Sequence, residues 1–319
     1  MSAIAFARRG RSKLAILAGL WLSLVVGLVI AAPAILQPFM ATTVLQFSTI
    51  LALVSLGQTM VVLGGGAGID LSLGGNVSLT SVLAMALVRA GGPTALLPLF
   101  CIGIGALLGG VNGFLVTRIR LLPLIATLAT LFIYGGLAVA LTGGLSISGV
   151  PPWLTPLGRG SVSGVPIHFL VIALPTFALG ALILTQTAWG RWIYAMGHNE
   201  RSARLVGVDV DGVRLTLYAV SGLLAGLAAL VSLAWFGSAR PNIGQNLELD
   251  SLAAILLGGV SISGGAGGVG GVLAAVLLIE TLKTGLQFVN INSIWQVGIV
   301  GALLIVVLLA DHLPNRRTS

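Results

Sequence analysis

Apolar runs of about 20 residues, separated by short polar or glycine-rich breaks, repeat along the whole chain. As a helix, such a run crosses the ~30 Å hydrocarbon core of a bilayer. The pattern therefore predicts an all-α polytopic membrane protein with about ten transmembrane helices, some of them discontinuous. The predicted spans are 14–36, 42–63, 71–88, 94–117, 122–141, 167–187, 215–238, 250–261, 265–284 and 293–310.

Basic residues orient this pattern, because loops on the cytoplasmic side carry the Lys and Arg excess. Arg8, Arg9, Arg11 and Lys13 precede the first run in the manner of a secretory signal, and Ala32-Pro33-Ala34 resembles a cleavage site. The run is too long for a signal core, so it is expected to persist as the first helix. With ten spans and the N-terminus inside, those four cations and Arg118, Arg120, Arg191, Arg201, Arg204, Arg214, Arg316 and Arg317 fall inside, leaving Arg89, Arg159, Arg240 and Lys283 outside. The resulting layout is a cytoplasmic segment 1–13, a transmembrane domain 14–311 and a cytoplasmic tail 312–319. Within the domain, 190–214 is cytoplasmic and 143–166 extracytoplasmic. Pro151, Pro152, Pro156 and Pro166 in the outer loop predict an ordered cap. Trp153 belongs either to that cap or to the membrane interface.

Composition changes little in this picture. The chain is 57% hydrophobic and 8% charged. The net charge of +8 comes from cations scattered among loops, without the interleaved aromatics of a nucleic-acid surface. A single cysteine, Cys101, excludes a disulfide framework and a cysteine metal cluster, and reads as a small core residue.

Glycine suggests how the spans meet. Gly105-Gly109-Gly113, Gly222-Gly226, Gly264-Gly268 and Gly267-Gly271 are small-xxx-small steps that predict close helix packing. The stretches LGGGAGIDLSLGGNVSLTSVLA from Leu63 and LGGVSISGGAGGVGGVLA from Leu257 echo each other, and paired breaks of this kind point to discontinuous helices beside a transport path.

Catalytic motifs are missing. The two lysines, Lys13 and Lys283, do not end a phosphate-binding G-x-x-x-x-G-K-[ST] run, and neither G-x-S-x-G nor H-E-x-x-H occurs. His168, His198 and His312 lack ligand spacing and are expected at surfaces or interfaces, with no metal site and no enzyme. Polar groups in apolar stretches are costly and so stand out. Asp70 follows a glycine break and is placed to cap a helix starting near Leu71, with Ser72 and Asn76 on neighbouring turns. Its alternatives are contact with a substrate hydroxyl or a proton or sodium relay. Asn112, Gln58, Thr127, Thr130 and Tyr134 are secondary candidates. Glu280 and Lys283, at i,i+3, are expected to pair. Glu248 and Asp250 would cap a helix on the outer side or face an arriving ligand.

Residues 190–214 gather seven charges, Arg191, Glu200, Arg201, Arg204, Asp209, Asp211 and Arg214. Asn199 is a good N-cap, Glu200 sits in the first turn, Gly207 is placed to stop the helix, and Glu200 and Arg204 stand at i,i+4. The predicted helix 200–206 is about 10 Å long, marginal in water, and must dock on something.

Four stretches together resemble the ribose-type permeases of bacterial ABC importers: GAGIDLSLGGNVSLTSVLAMAL, LPLIATLATLFIYGGLAVALTGG, GRWIYAMGHNERSARLVGV and ELDSLAAILLGGVSISGGAGGVGGVLAAVLL. The resemblance implies a multi-pass subunit of the bacterial inner membrane that pairs with a second permease subunit, identical or paralogous. It implies two cytoplasmic ABC ATPase subunits and a periplasmic binding protein that delivers a monosaccharide or similar polyol. It implies no cofactor of the chain's own, ATP being bound by the partner. The family's coupling pattern G-x-N-x-x-A-A-x-x-x-G is matched by Gly197, Asn199, Ala203 and Gly207, with Ser202 in place of the first alanine. Those residues and Glu200 are the expected ATPase contact, and Asp70, Ser72, Asn76 and Asn112 the expected substrate path. The competing readings are an ion-driven secondary carrier using Asp70, a branched-chain amino acid ABC permease, and a non-transporting membrane scaffold. The sugar itself is not legible.

Overall fold

The computed structural model describes residues 17–30, 37–292, 295–302 and 305. Segments 1–13 and 312–319, with His312, lie outside the described residues, as does half of the predicted tenth span. The helices are α1 (Leu17–Ile30), α2 (Pro38–Leu63), α3 (Leu73–Arg89), α4 (Leu97–Thr117), α5 (Pro123–Thr142) and the short α6 (Thr155–Arg159). They continue with α7 (Leu174–Gln186), α8 (Ala188–His198), α9 (Glu200–Leu205), α10 (Val210–Phe236), α11 (Leu247–Leu257) and α12 (Val269–Phe288).

Six helical stretches among the described residues are long and apolar enough to cross a bilayer, fewer than the ten spans predicted: α2, α4, α5, α7 with its preceding π-turn Phe169–Ala173, α10 and α12. Two of the other four predicted spans, 14–36 and 293–310, extend beyond the described residues, and the remaining two, 71–88 and 250–261, adjoin glycine breaks. Composition stays apolar through 64–72 and 258–268, yet Gly65, Gly66, Gly259, Gly264, Gly265 and Gly267 all have positive φ and interrupt the helix. The predicted eighth span is accordingly α11, 11 residues and about 16 Å long, roughly half a membrane. Gly264-Gly268 and Gly267-Gly271 are not helix-packing steps, because Gly264 and Gly267 are turn residues with φ of 87° and 134°.

The other two glycine sets do pack helices, and they pack them on each other. Gly105, Gly109 and Gly113 of α4 face Tyr218, Gly222, Gly226 and Leu215 of α10. A Cβ on Gly109 would stand 2.8 Å from the Gly222 Cα, so a side chain at either position would push the helices apart. With α4 this close, α10 sits at the centre, flanked also by α2 and α3. Leu107 and Phe114 of α4, Phe132 of α5 and Leu182 of α7 point outward as the apolar surface of a multi-pass membrane protein.

The predicted outer loop is ordered. Strand β1 (Ile147–Ser148) pairs antiparallel with β4 (Ser238–Ala239), and β2 (Ser161–Val162) forms a ribbon with β3 (Val165–Pro166). Leu154 is buried, Arg159 Nε donates to the Trp235 carbonyl at 3.0 Å, and Arg89 Nη2 donates to the Ser148 carbonyl at 3.1 Å. Trp153 is 48% exposed. The 27 residues of α10, about 40 Å, separate this cap from α9 at the other end of the molecule. Cys101 is buried as a core residue. His168, expected at a surface or interface, is fully buried, its Nδ1 2.8 Å from Thr49 Oγ1, because the π-turn carries it inward against α2.

Candidate functional site

The charged stretch folds as two short helices and a hairpin-like return. Thr187 caps α8 by accepting from the Gly190 amide at 3.1 Å. The chain then extends at Asn199, whose Oδ1 accepts from the Ser202 amide at 3.0 Å and starts α9. Helix α9 ends at Leu205, one residue before the predicted end. The Val208 amide bonds to the Ala203 carbonyl and the Gly207 amide to the Arg204 carbonyl, both at 3.1 Å, with Gly207 at φ 86°. This is a Schellman stop, open to glycine without strain. Ala203 is buried beneath α9, while Leu205 and Val206 are 88% and 79% exposed at its tip. That apolar tip was missed in the sequence, although two aliphatic residues closing a charged segment were its signal.

Ion pairs fix α9 to α10. Arg204 Nη2 lies 2.9 Å from Glu200 Oε1, the predicted pair, and 2.6 Å from Asp211 Oδ1. Glu200 Oε2 lies 2.7 Å from Arg214 Nη2. The hydrogen bond from Arg214, then that from Arg204, holds the Glu200 carboxyl below its ordinary range, and Asp211 and Glu200 raise the Arg204 guanidinium above its own. Pairs this exposed contribute little each, but Glu200 and Arg204, each with two partners, make one geometry of four side chains.

Just before α9, two loops and the end of α8 meet on glycine. A Cβ on Gly65, in the first helix break, would stand 2.7 Å from the Gly197 Cα. A Cβ on Gly265, in the second break, would stand 2.7 Å from the His198 amide nitrogen. The Gly265 amide donates to the Leu63 carbonyl at 3.0 Å, and Tyr194 Oη donates to the Gly267 carbonyl at 2.9 Å. The two echoing breaks thus touch each other and the C-terminal end of α8.

The first break runs from this junction into a buried polar network. Asp70 Oδ1 accepts from the Ser72 amide at 3.1 Å and from Ser72 Oγ at 2.6 Å, and its Oδ2 accepts from Ser221 Oγ at 3.0 Å. The Asp70 amide donates to Gln58 Oε1 at 3.3 Å. Asn112 Nδ2 donates to Ser72 Oγ at 2.6 Å, and Thr130 Oγ1 donates to Asn112 Oδ1 at 2.7 Å. Asn76 Nδ2 donates to the Gly105 carbonyl at 3.1 Å and Asn76 Oδ1 accepts from Thr80 at 2.9 Å. Thr127 Oγ1 and Tyr218 Oη both reach the Ile69 carbonyl, at 3.2 and 3.4 Å, and Tyr134 Oη donates to the Leu108 carbonyl at 3.0 Å. Asp70, Ser72, Asn76 and Asn112 are fully buried, and together they tie α2, α3, α4, α5 and α10 around the break. Helix α3 starts at Leu73, two residues later than predicted, with Asp70 holding the Ser72 amide just before it.

A second charged group lies apart from both. Lys283 Nζ pairs with Asp250 Oδ2 at 2.6 Å, across α12 and α11, and not with Glu280 as its i,i+3 spacing predicts. The cross-helix carboxylate is closer because α11 packs on the same face of α12. Glu248 points the other way, buried against Gly74 of α3. Among the described residues no three His, Cys, Asp or Glu side chains cluster as metal ligands.

A family profile described as branched-chain amino acid transport system / permease component matches residues 40–308. The chain is 37% identical over 282 residues to the ribose import permease protein RbsC of Bacillus subtilis (strain 168), covering 88% of this chain and 87% of that one. It is 34% identical over 273 residues to the autoinducer 2 import system permease protein LsrD of Klebsiella pneumoniae subsp. pneumoniae, covering 84% and 81%. With the ribose import permease protein RbsC of Escherichia coli (strain K12) it shares 31% over 276 residues, 84% of each chain. No solved structure matches.

Proposed function

As the chain belongs to the branched-chain amino acid transport system / permease component family, we propose that it is the membrane subunit of an ABC importer that moves a monosaccharide or similar polyol. The observation that carries this reading is α9. It is a capped, ion-paired helix that directly follows α8, whose last residues Gly197 and His198 pack on both helix breaks, and its tip presents Leu205 and Val206 outward. An amphipathic helix of this kind fits a groove on another protein.

In this reading Gly197, Asn199, Glu200, Ala203 and Gly207 build the contact with a cytoplasmic ABC ATPase, which binds and hydrolyses the ATP while the permease catalyses no reaction. The permease sits in the bacterial inner membrane with both termini cytoplasmic, paired with a second permease subunit, and its cap at 143–166 faces a periplasmic sugar-binding protein. ATP-driven closure of the ATPases moves α9. The glycine junction leaves no side chains to absorb that motion, so the two breaks move with it, carrying α3 and α12. Asp70, Ser72, Asn76 and Asn112 then hold the other helices to the first break. Nucleotide shifts the balance of outward- and inward-open states only by its different affinity for the two. The four network residues border the substrate path in this reading by keeping its helices in register.

The family description covers amino acid permeases, but relatives matching most of the chain at 31–37% identity include ribose and autoinducer 2 import permeases. Asp70 as an ion relay fits less well, because its carboxylate already accepts three hydrogen bonds. The test is uptake of radiolabelled D-ribose and a panel of other aldopentoses and aldohexoses into proteoliposomes holding the permease, its ATPase and the binding protein. ATP-dependent uptake without an ion gradient supports the reading; uptake driven by a proton or sodium gradient alone overturns it.

A further inference from the structure

Between α2, the end of α10, α11 and α12 lies a cavity of about 290 Å³, apart from α9 and the Asp70 network and bordered by the Asp250–Lys283 pair. One wall is aromatic. Phe47 packs edge-on against Trp235 at 4.7 Å between centroids, Trp235 stacks on Phe236 at 4.6 Å, and the Arg240 guanidinium covers Phe236 at 4.5 Å. These contacts lock the Phe47 and Phe236 rings that line the space.

The opposite wall is charged. Asp250 and Lys283 neutralise each other there. Glu280, one turn before Lys283, also lines the cavity, is 5% exposed, and makes no hydrogen bond among the described residues. A buried carboxylate with open lone pairs is expensive inside a membrane protein, and such groups mark ligand paths. The mouth is formed in part by Gln245 and Gln287, both exposed amides. Amides cannot be satisfied by lipid tails, so this mouth opens toward water, unlike the leucine and phenylalanine faces of α4 and α5.

We propose that this cavity is a monosaccharide-binding station, with one face of the ring on Phe47 and Phe236 and hydroxyl groups donating to Glu280 and bonding to Gln287. The volume suits a single sugar ring, and the mixture of locked apolar faces with a few convergent polar groups is that of a small-molecule site. A hydrophobic amino acid fits worse, because its carboxylate would meet Glu280, while the cation among the described lining residues, Lys283, is already paired and Arg240 lies behind Phe236. The inference rests on the sugar-importer reading but places the sugar away from Asp70.

The test uses ATP-driven uptake of radiolabelled D-ribose by the full complex in proteoliposomes, with 2-deoxyribose as competitor. Glu280→Gln is expected to lower ribose uptake about tenfold, the effect of one charged hydrogen bond. It should also shrink the preference for ribose over 2-deoxyribose, while ATP hydrolysis by the assembled complex is retained. Gln287→Ala, at the exposed mouth where nothing is left buried behind it, should raise the half-saturating ribose concentration about threefold. Should Glu280→Gln fail to assemble, Gln287→Ala decides alone. Unchanged uptake and preference in the assembled variants overturn the site while leaving the importer intact. Failure of the wild-type complex to take up any aldopentose or aldohexose overturns the importer reading and the occupant with it. A Glu280→Gln defect in sodium- or proton-driven flux, with ribose uptake normal, makes the cavity a cation site and overturns the sugar.

Discussion

Gly65 and Gly197 touch backbone to backbone, so that a single methyl on Gly65 would sit 2.7 Å from the Gly197 Cα. The contact joins the loop after α2 to the end of α8, residues far apart in sequence. It sets a chain of rigid pieces just before α9 with no side chain to cushion motion between them. The first break continues from Gly65 to Asp70 within five residues, and Asp70 opens the network that binds five helices.

Gly207→Val places a β-branched residue at φ 86°, a conformation that L side chains rarely adopt, although space around it is open. The expected result is a misdirected α9: normal insertion in the membrane, ATP hydrolysis by the complex retained, and uptake reduced at least about tenfold. Parallel measurements of phosphate release and labelled ribose uptake check it.

Leu205→Asp with Val206→Asp removes the exposed apolar tip of α9 and leaves the Asn199 cap, the Gly207 stop and the ion pairs in place. Co-purification of the ATPase should be lost while the permease alone keeps its thermal stability. Retained co-purification would place the ATPase contact elsewhere.

Asp70→Asn leaves oxygen and nitrogen where two oxygens accept three hydrogen bonds, so Ser72 or Ser221 loses its acceptor. A loss of about 1–3 kcal/mol of stability is expected, read as a lower Tm. The variants that assemble should keep ATP-linked uptake with no response to an imposed ion gradient.

Protonation of Glu200 should loosen α9. Arg214 and Arg204 hold this carboxyl below its ordinary value of 4.5, so the ionised group stabilises the fold above that value and the stabilisation fades as pH falls below it. Hydrogen exchange of the α9 amides, corrected for intrinsic rates, should stay level from about pH 7 to 5. Glu200→Gln should show the loosened rates across the whole range.

How much was legible follows from where the information sits. Helix α9 was readable nearly to the residue, because Asn199, Glu200, Arg204 and Gly207 act on neighbours within one or two turns. The α4–α10 glycine seam was readable as a tendency, though the partnering of Gly109 with Gly222 is a tertiary fact. The shortness of the eighth span was not, since apolar composition does not distinguish a helix from a glycine turn, as 258–268 shows. The Glu280–Lys283 pair failed for the same reason: spacing along one helix does not reveal a carboxylate brought in by α11. The Asp70 network needed five helices at once, and only the cost of burying Asp70 pointed to it.

The central claim, that motion of α9 reaches the helix breaks through the glycine junction, is tested most directly by the ratio of ribose taken up to ATP hydrolysed in proteoliposomes carrying Gly65→Ala or Gly197→Ala. The account predicts that both variants assemble with the ATPase and hydrolyse ATP, with the ratio at least about tenfold below wild type. A wild-type ratio in both would contradict it.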